Sequence, residues 1–417
     1  MAENFKNAYL YGKTFLKWIF LALLVGTIGG VVGSLFHISI DYVTELRAEH
    51  GWILFGLPLG GVVIAALYGL CKKAGKVDTN RVLEAVRTEE KVPFVMAPLI
   101  FASTVITHLF GGSAGREGAA LQLGGSIGYR TGKIFRLGNA DLHIIVMAGM
   151  SAVFSALFGT PLAAAIFAIE VVSVGIVQYA ALVPCITAAL TAFGIAGLFH
   201  IAPVRFLFVS FPALAPVTVI ETVALSVLCA LVGILFCTSI HKTEHLFEKF
   251  LPNKYIRAFV GAILVILLAL LLGTRDYNGA GMNVIEKALG GTANFEAFLL
   301  KIIFTAITIA AGFKGGEIVP AFFIGSTFGA FIGPVLGLDP SFAAAMCFIG
   351  LFCSVVNCPV ASLLLAIEVF GGGGIAYFAV ICAVTFMMSG NFSLYKSQRI
   401  VYSKLDAHRM DMTLKDE

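Results

Sequence analysis

The chain alternates long apolar runs with short polar breaks almost to its end. A run of about 20 apolar residues is long enough to cross the hydrocarbon of a bilayer as a helix. The pattern predicts a first span over about residues 15–40 and a second over about 52–70, joined by a short loop from Asp41 to Gly51. Residues 1–14 are polar and aromatic and suit a short interfacial segment. Lys72, Lys73 and Lys76 form a basic cluster after the second span. Two crossings separate it from Lys13, so the positive-inside rule puts both on the cytoplasmic side. A polar stretch follows over residues 74–93, where Val82, Leu83 and Val86 carry a short helical pattern closed by Pro93.

Apolar segments then crowd together, at about 95–110, 117–135, 142–158, 161–177 and 179–200. Several are too short to cross, which is the pattern of broken helices that stop within the membrane and aim their ends at a site. Residues 201–214, with Pro203 and Pro212, read as a connector. The second half runs over about 216–239, 255–273, 296–312, 318–337, 341–356, 359–372 and 374–390. Asn278 to Asn294 reads as an outer or re-entrant loop, and 396–417 as a short cytoplasmic tail. The expected division is therefore 1–14, a first membrane unit over 15–200, the connector 201–214, a second unit over 215–395, and the tail.

Composition narrows the class. Of 417 residues, 59% are hydrophobic and 12% charged, which no soluble domain of this length would show. The reading is an all-α polytopic membrane protein, since a barrel would show short alternating segments. The formal net charge of +4 is too small to argue for nucleic acid. Cys353 and Cys358 do not have a zinc spacing, and most of the other cysteines lie within apolar runs as small buried hydrophobes. No cofactor is implied. The first apolar run is long and lacks a small-residue cleavage pattern, so it does not read as a signal peptide. Neither HExxH nor a paired-Asp constellation appears, which argues against a membrane-embedded enzyme.

The candidate chemistry centres on Gly111-Gly-Ser-Ala-Gly-Arg-Glu-Gly118. This glycine-rich turn feeds an apolar helix and places Arg116 and Glu117 at membrane depth. Charge there is costly and marks function, while a helix N-terminus offers free N–H groups to an anion. Close helix packing is the bland alternative; it explains the glycines but not Glu117.

Self-comparison adds a duplication. Gly111–Gly128 aligns with Gly312–Gly329 at an offset of 201 (312 − 111), with glycines coinciding at 111/312, 115/316, 124/325 and 128/329. Pro161 to Val171 aligns with Pro359 to Val369 at an offset of 198 (359 − 161), each block ending in Ala-Ile-Glu-Val. Repeats of this kind are typical of transporters whose sites lie at the repeat interface. Two helix N-termini facing one centre make a weak, distributed anion site that suits rapid passage. Glu170 and Glu368 occupy matched positions, so a structural role at helix ends is expected for both. Lys314 is placed either to pair with Glu317 or to line a vestibule, and His108 is expected to be a core residue bonded to backbone.

Gly112-Ser-Ala-Gly-Arg-Glu-Gly118 resembles the GREG signature of the CLC chloride channel and transporter family. Gly315-Gly-Glu-Ile-Val-Pro320 resembles its second-half signature, and Tyr395 matches its anion-coordinating tyrosine. The resemblance covers about residues 15–400. It implies a homodimer with one pore per subunit and two inverted repeats of tilted and broken helices. It implies that Glu117 is the gating and proton-transfer glutamate, and that Gly115, Arg116, Gly118, Gly316, Ile318, Val319 and Tyr395 surround the anion. Arg116 itself reads more as a structural residue, bonding carbonyls or a carboxylate, than as an anion ligand.

Three departures bear on the anion. Val77 to Arg81 replaces the family's serine loop, with Thr79 where the anion-binding serine would fall. Val171 follows Glu170 where exchangers of the chloride branch carry a second, proton-accepting glutamate. Glu317 stands where many members have an apolar residue, and it could supply a second protonatable group. Gly-Gly-Glu with the missing acceptor is similar to the fluoride-exporting branch. That branch typically has Met at the place of Thr79 and a Thr near Val319, and neither is present here. The sequence therefore predicts movement of chloride or fluoride, in exchange for protons, across a cell membrane with both termini cytoplasmic. An uncoupled channel remains the alternative, and a cation or solute carrier with the same repeats the more distant one. Nothing points to nucleic acid as a partner.

Overall fold

The computed structural model describes residues 2–71, 78–88, 90–406 and 408–413, without the side chains of residues 2–8. The basic cluster at Lys72–Lys76 lies outside the described residues. The first half contains α1 (Ala2–Glu49), α2 (Leu57–Leu70), α3 (Thr79–Ala85), α4 (Met96–Leu109), α5 (Glu117–Ile134), α6 (Asn139–Phe158), α7 (Pro161–Glu170) and α8 (Leu182–Leu198). The second contains α9 (Pro216–Phe250), α10 (Lys254–Leu272), α11 (Met282–Leu289), α12 (Ala297–Ala310), α13 (Ile318–Ile332), α14 (Pro340–Val356), α15 (Pro359–Phe370) and α16 (Ile375–Met388). Among the described residues, six helical stretches are long and apolar enough to cross a membrane. The helices that carry the duplicated motifs are shorter, α7 having 10 residues and α15 having 12.

Several boundaries differ from the sequence reading. The expected loop from Asp41 to Gly51 is helical to Glu49. Its residues are polar but include no Gly or Pro before Gly51, so nothing interrupts the backbone ladder. Likewise α9 runs past 239 to Phe250 and stops just before Pro252, where the pre-proline restriction ends it. The stretch from Asn278 to Asn294 holds the helix α11. The segment expected to run to 177 stops at Glu170, and Ser173–Val174 becomes a strand, β1. The tail supplies β2 (Arg399–Tyr402) and β3 (Arg409–Thr413). β1 pairs parallel to β2, with Ser173 opposite Arg399, and β2 pairs antiparallel to β3. The tail is thereby stitched to the first half.

Reciprocal contacts relate the two halves by a two-fold. The Glu170 carboxylate accepts bonds from Val360 N at 3.2 Å and Ala361 N at 2.8 Å, at the start of α15. Its counterpart Glu368 accepts from Leu162 N at 3.0 Å and Ala163 N at 2.9 Å, at the start of α7. Pro161 and Pro359 occupy the first helical position, where an N–H would be unpaired anyway. The next two orphan N–H groups of each helix are closed by a carboxylate from the other half. Contacts that map residue i onto j′ and j onto i′ are what a two-fold requires.

The packing inside each half obeys the same offsets. A Cβ at Gly124 or Gly128 would lie 2.1 or 2.2 Å from the carbonyls of Gly149 and Ile145 on α6. At Gly325 and Gly329 it would lie 2.2 Å from those of Cys347 and Ala343 on α14. Glycine thus sets the approach of α5 to α6 and of α13 to α14, as small residues do between membrane helices. His108 is a buried core residue, its Nδ1 2.9 Å from Thr104 O.

Glu170→Ala leaves two helix-start N–H groups without their partner, that of Ala361 buried, and is expected to lower stability by about 2 kcal/mol. Glu170→Gln keeps one acceptor oxygen and is expected to fall between that variant and wild type in thermal unfolding in detergent. Gly128→Leu forces α5 from α6 and is expected to cost about 3 kcal/mol or more, read as lost monodisperse protein on size exclusion.

Candidate functional site

α4 and α12 each end on a glycine in the left-handed region, Gly111 at φ 82° and Gly312 at φ 96°. The turn lets each chain double back and enter the next helix from inside the protein. Ser113 N donates to Thr308 Oγ1 at 3.1 Å, and the matched Lys314 N donates to Thr107 Oγ1 at 3.2 Å. Two residues further on the loops meet. Gly115 N donates to Gly316 O at 2.6 Å, and Gly316 N donates to Gly115 O at 2.8 Å, an antiparallel bridge between equivalent residues. The two-fold therefore passes between Gly115 and Gly316. Beyond the bridge, α5 starts at Glu117 and α13 at Ile318, so two helix N-termini converge on one point.

The Glu117 side chain fills that point and is fully buried. One carboxylate oxygen accepts from Arg116 N at 3.0 Å, and the other from Val319 N at 3.2 Å. The first bond is local, and the second reaches the opposite half. A buried carboxylate held by backbone N–H groups at a helix start is held as a bound anion would be. Glycine makes the fit possible: a Cβ at Gly316 would sit 2.6 Å from Glu117 Oε2, and one at Gly115 would sit 2.2 Å from it. Gly118 packs beside Gly315 and Gly316, and Ile318 and Val319 are buried at the head of α13.

The other expected site residues are distributed as follows. The Arg116 guanidinium turns away from the convergence point to Asp41 on α1, with Nη1 3.1 Å from Oδ1. Only its backbone N–H addresses the Glu117 carboxylate, so the side chain is not placed as an anion ligand. Thr79 is buried at the start of α3, but its hydroxyl donates to Gly118 O at a long 3.4 Å and accepts from Gln122 Nε2 at 3.2 Å. Its proton points to a carbonyl through a long, weak bond and is free to rotate to another acceptor. Glu317 occupies the N-cap position of α13 beside the bridge, partly exposed, and its side chain makes no capping hydrogen bond. Lys314 lies over the Tyr68 ring, with Nζ 4.8 Å from its centroid. Val171, at the place of the absent acceptor, is buried, and its carbonyl accepts from Gln398 Nε2 at 3.1 Å.

Tyr395 is buried and its hydroxyl has no hydrogen-bond partner among the described residues. Its position is set by polar bonds on both sides. Tyr395 N donates to Ser393 Oγ at 3.1 Å, while Ser397 Oγ donates to Asn80 O at 3.1 Å, tying the loop to α3. Gln398 Nε2 also donates to Val356 O at 2.7 Å, at the end of α14. Gln122, Asn80 and Gln398 escaped the sequence reading. Gln122 stands alone among apolar neighbours, which was an available signal, whereas Asn80 and Gln398 lie in polar stretches, and spacing does not say what any of them bonds.

The family model described as "Voltage gated chloride channel" matches residues 60–390. A chloride/fluoride channel protein of Pseudomonas syringae pv. tomato is 33% identical over 395 residues, covering 93% of this chain and 87% of its own length. An H(+)/Cl(-) exchange transporter ClcA of Vibrio vulnificus is 26% identical over 403 residues, covering 87% and 84% respectively. Among solved structures, a CLC-type fluoride/proton antiporter superposes with a TM-score of 0.88 at 31% identity, over 92% of this chain and 98% of that one. A slow cyanobacterial Cl-/H+ antiporter superposes with a TM-score of 0.76 at 20% identity, over 89% and 94%, a likeness of fold.

Tyr395→Phe removes a buried hydroxyl that bonds nothing among the described residues. Thermal unfolding is therefore expected to be unchanged, within about 0.5 kcal/mol, or slightly raised. A large loss of stability would mean that the hydroxyl holds the fold.

Proposed function

The chain belongs to the voltage gated chloride channel family, and from that premise we propose that it moves fluoride or chloride across the membrane in exchange for protons, with Glu117 as the gate. One observation carries the reading. The Glu117 carboxylate is bound by N–H groups from both halves, in the place where a small anion would be bound by the same groups. Carboxylate and anion compete for one set of donors. Protonation removes the competitor's charge, so anion entry and proton uptake are linked through a single group.

Fluoride is the favoured substrate. The relatives named for fluoride share more sequence with this chain, 33% and 31%, than those named for chloride alone, at 26% and 20%. A small, strongly hydrated anion needs short hydrogen-bond donors in exchange for its water, and the unpartnered Tyr395 hydroxyl is one. Glu317 is the second protonatable group, standing at the head of α13 in a chain that has Val171 where chloride-type exchangers carry an acceptor. The backbone of Gly115, Arg116, Gly118, Gly316, Ile318 and Val319 forms the remainder of the site.

The protein acts as a homodimer in the cell membrane, with both termini cytoplasmic. Residues 15–200 and 215–395 form the two repeats of each pore, joined by the connector 201–214.

Proteoliposomes loaded with fluoride or chloride, with anion and proton fluxes recorded together, test this. Wild type is expected to move protons against the anion, faster with fluoride. Glu117→Ala is expected to carry anion with proton flux at background, and Tyr395→Phe to bind the anion about tenfold more weakly. Glu317→Gln is expected to lose proton coupling, and coupling that survives it removes Glu317 from the path. Anion flux without protons in wild type would make the protein a channel.

A further inference from the structure

Arg116 carries a permanently charged, five-donor guanidinium one residue from the gating carboxylate. Yet Glu117 is held by peptide N–H groups, those of Arg116 and Val319. The guanidinium is drawn instead to α1, where Asp41 Oδ1 accepts from Nη1 at 3.1 Å. Asp41 Oδ2 lies 2.8 Å from His37 Nε2, one turn earlier on the same helix. The Arg116 and His37 side chains are 15% and 14% exposed and Asp41 is 50% exposed, so the carboxylate is the member of the chain open to water. Among the described residues, Asp41 is the carboxylate within ion-pair distance of Arg116.

We propose that Asp41 is a positioning residue for the gate: it holds the Arg116 guanidinium on α1, away from Glu117, so that the gating carboxylate is bound by peptide N–H groups alone and is free to leave. The inference rests on the reading of Glu117 as the gate. A carboxylate–guanidinium bond is charge-assisted and often bidentate, far stronger than a bond to a neutral N–H. A gate clamped by Arg116 would be slow to exchange with an anion or to take up a proton. Removing the Asp41 charge leaves a mostly buried cation without its partner, a costly state. The Glu117 carboxylate, already within electrostatic reach of the guanidinium, is the partner then left to it. His37 fixes the rotamer of Asp41 by occupying its second oxygen. The charged or titratable groups facing Asp41 are His37 and Arg116, and those in electrostatic reach of Glu117 are Arg116, Glu317 and the Tyr395 hydroxyl.

The test uses full-length wild type, Asp41→Asn, Asp41→Glu and the double variant Asp41→Asn/Arg116→Gln in proteoliposomes, with anion efflux measured against external pH. Asp41→Asn is expected to slow efflux at neutral pH, because a clamped carboxylate needs more acid to be released. The midpoint of its efflux–pH curve is expected to move about one pH unit to the acid side. Asp41→Glu is expected to follow wild type, and adding Arg116→Gln to Asp41→Asn to bring the curve back. A uniform fall in rate with an unmoved midpoint, or a shift that Arg116→Gln does not reverse, would overturn the proposal and leave Asp41 a purely structural residue. A structure of Asp41→Asn in nanodiscs reads the same question without transport. The guanidinium is expected within hydrogen-bond distance of Glu117, and one that stays on residue 41 or turns to solvent sinks the idea. Wild type that moves neither anion at any pH would count against the proposed function, and that structure would still decide the position of Arg116.

Discussion

Two hydrogen bonds between Gly115 and Gly316 fix where everything else in the centre of this protein must lie. They join equivalent residues of a duplicated chain, so the symmetry axis runs between them. Each loop can approach the other this closely only because neither carries a side chain there. A Cβ at Gly315 would lie 2.5 Å from Ala114 Cβ, and one at Gly316 would lie 2.5 Å from Gly118 N. The bridge uses backbone groups that would otherwise be unpaired at membrane depth, where such groups are costly. Once it forms, two helix N-termini point at one small volume, and the charge best accommodated there is negative. Glu117 supplies that charge from within the chain.

Farther from the axis, the same logic recurs in a second material. Glu170 and Glu368 each close the start of a helix in the opposite half. These carboxylates are spent on structure, and each is matched by its twin. Glu117 has no acidic twin at its own position, because Ile318 stands there at the offset of 201 (318 − 117). Glu317 is aligned with Arg116 instead. The asymmetry separates the two kinds of carboxylate: the repeated Glu170 and Glu368 cap helices of the opposite half, whereas the unrepeated Glu117 fills the convergence point. The neighbouring Arg116 guanidinium is paired with Asp41 on α1, outside that volume.

The surroundings of Tyr395 are built differently. Tyr395 follows α16, and its loop is held by Asn80, Ser393 and Gln398, residues from α3 and from the tail. The tail in turn pairs through β2 with β1, directly after α7. Lys404 extends this clamp, with Nζ 2.5 Å from Asn357 Oδ1 and 3.0 Å from Ser389 Oγ, at the C-terminal ends of α14 and α16. A cation at helix C-termini is the favourable sign. The position of the Tyr395 hydroxyl is thus set by contacts spread over both halves.

Residue order alone carried the class and the repeat, and it marked Glu117 as the candidate gate. Apolar runs must become helices in a bilayer, because no other open structure satisfies their backbone there. The duplication was legible because glycines that permit backbone contact cannot be exchanged for larger residues, so both copies kept them in register. Glu117 was legible because charge in an apolar context is expensive. Helix ends were less so: α1 and α9 run through polar stretches that contain no breaker, and polarity alone does not stop a helix. Only the tertiary structure decided what each polar side chain bonds. Arg116 chose Asp41, 75 residues away, and Thr79 meets Gln122 and the Gly118 carbonyl. Gln398 chose Val171 and Val356, and the tail became a strand because Ser173–Val174 offered it an edge. Hydrogen bonding is directional and short in range, and it pairs residues that are distant in sequence. Hydrophobic periodicity reports which face is buried; the partner of a buried polar atom is decided when the helices meet.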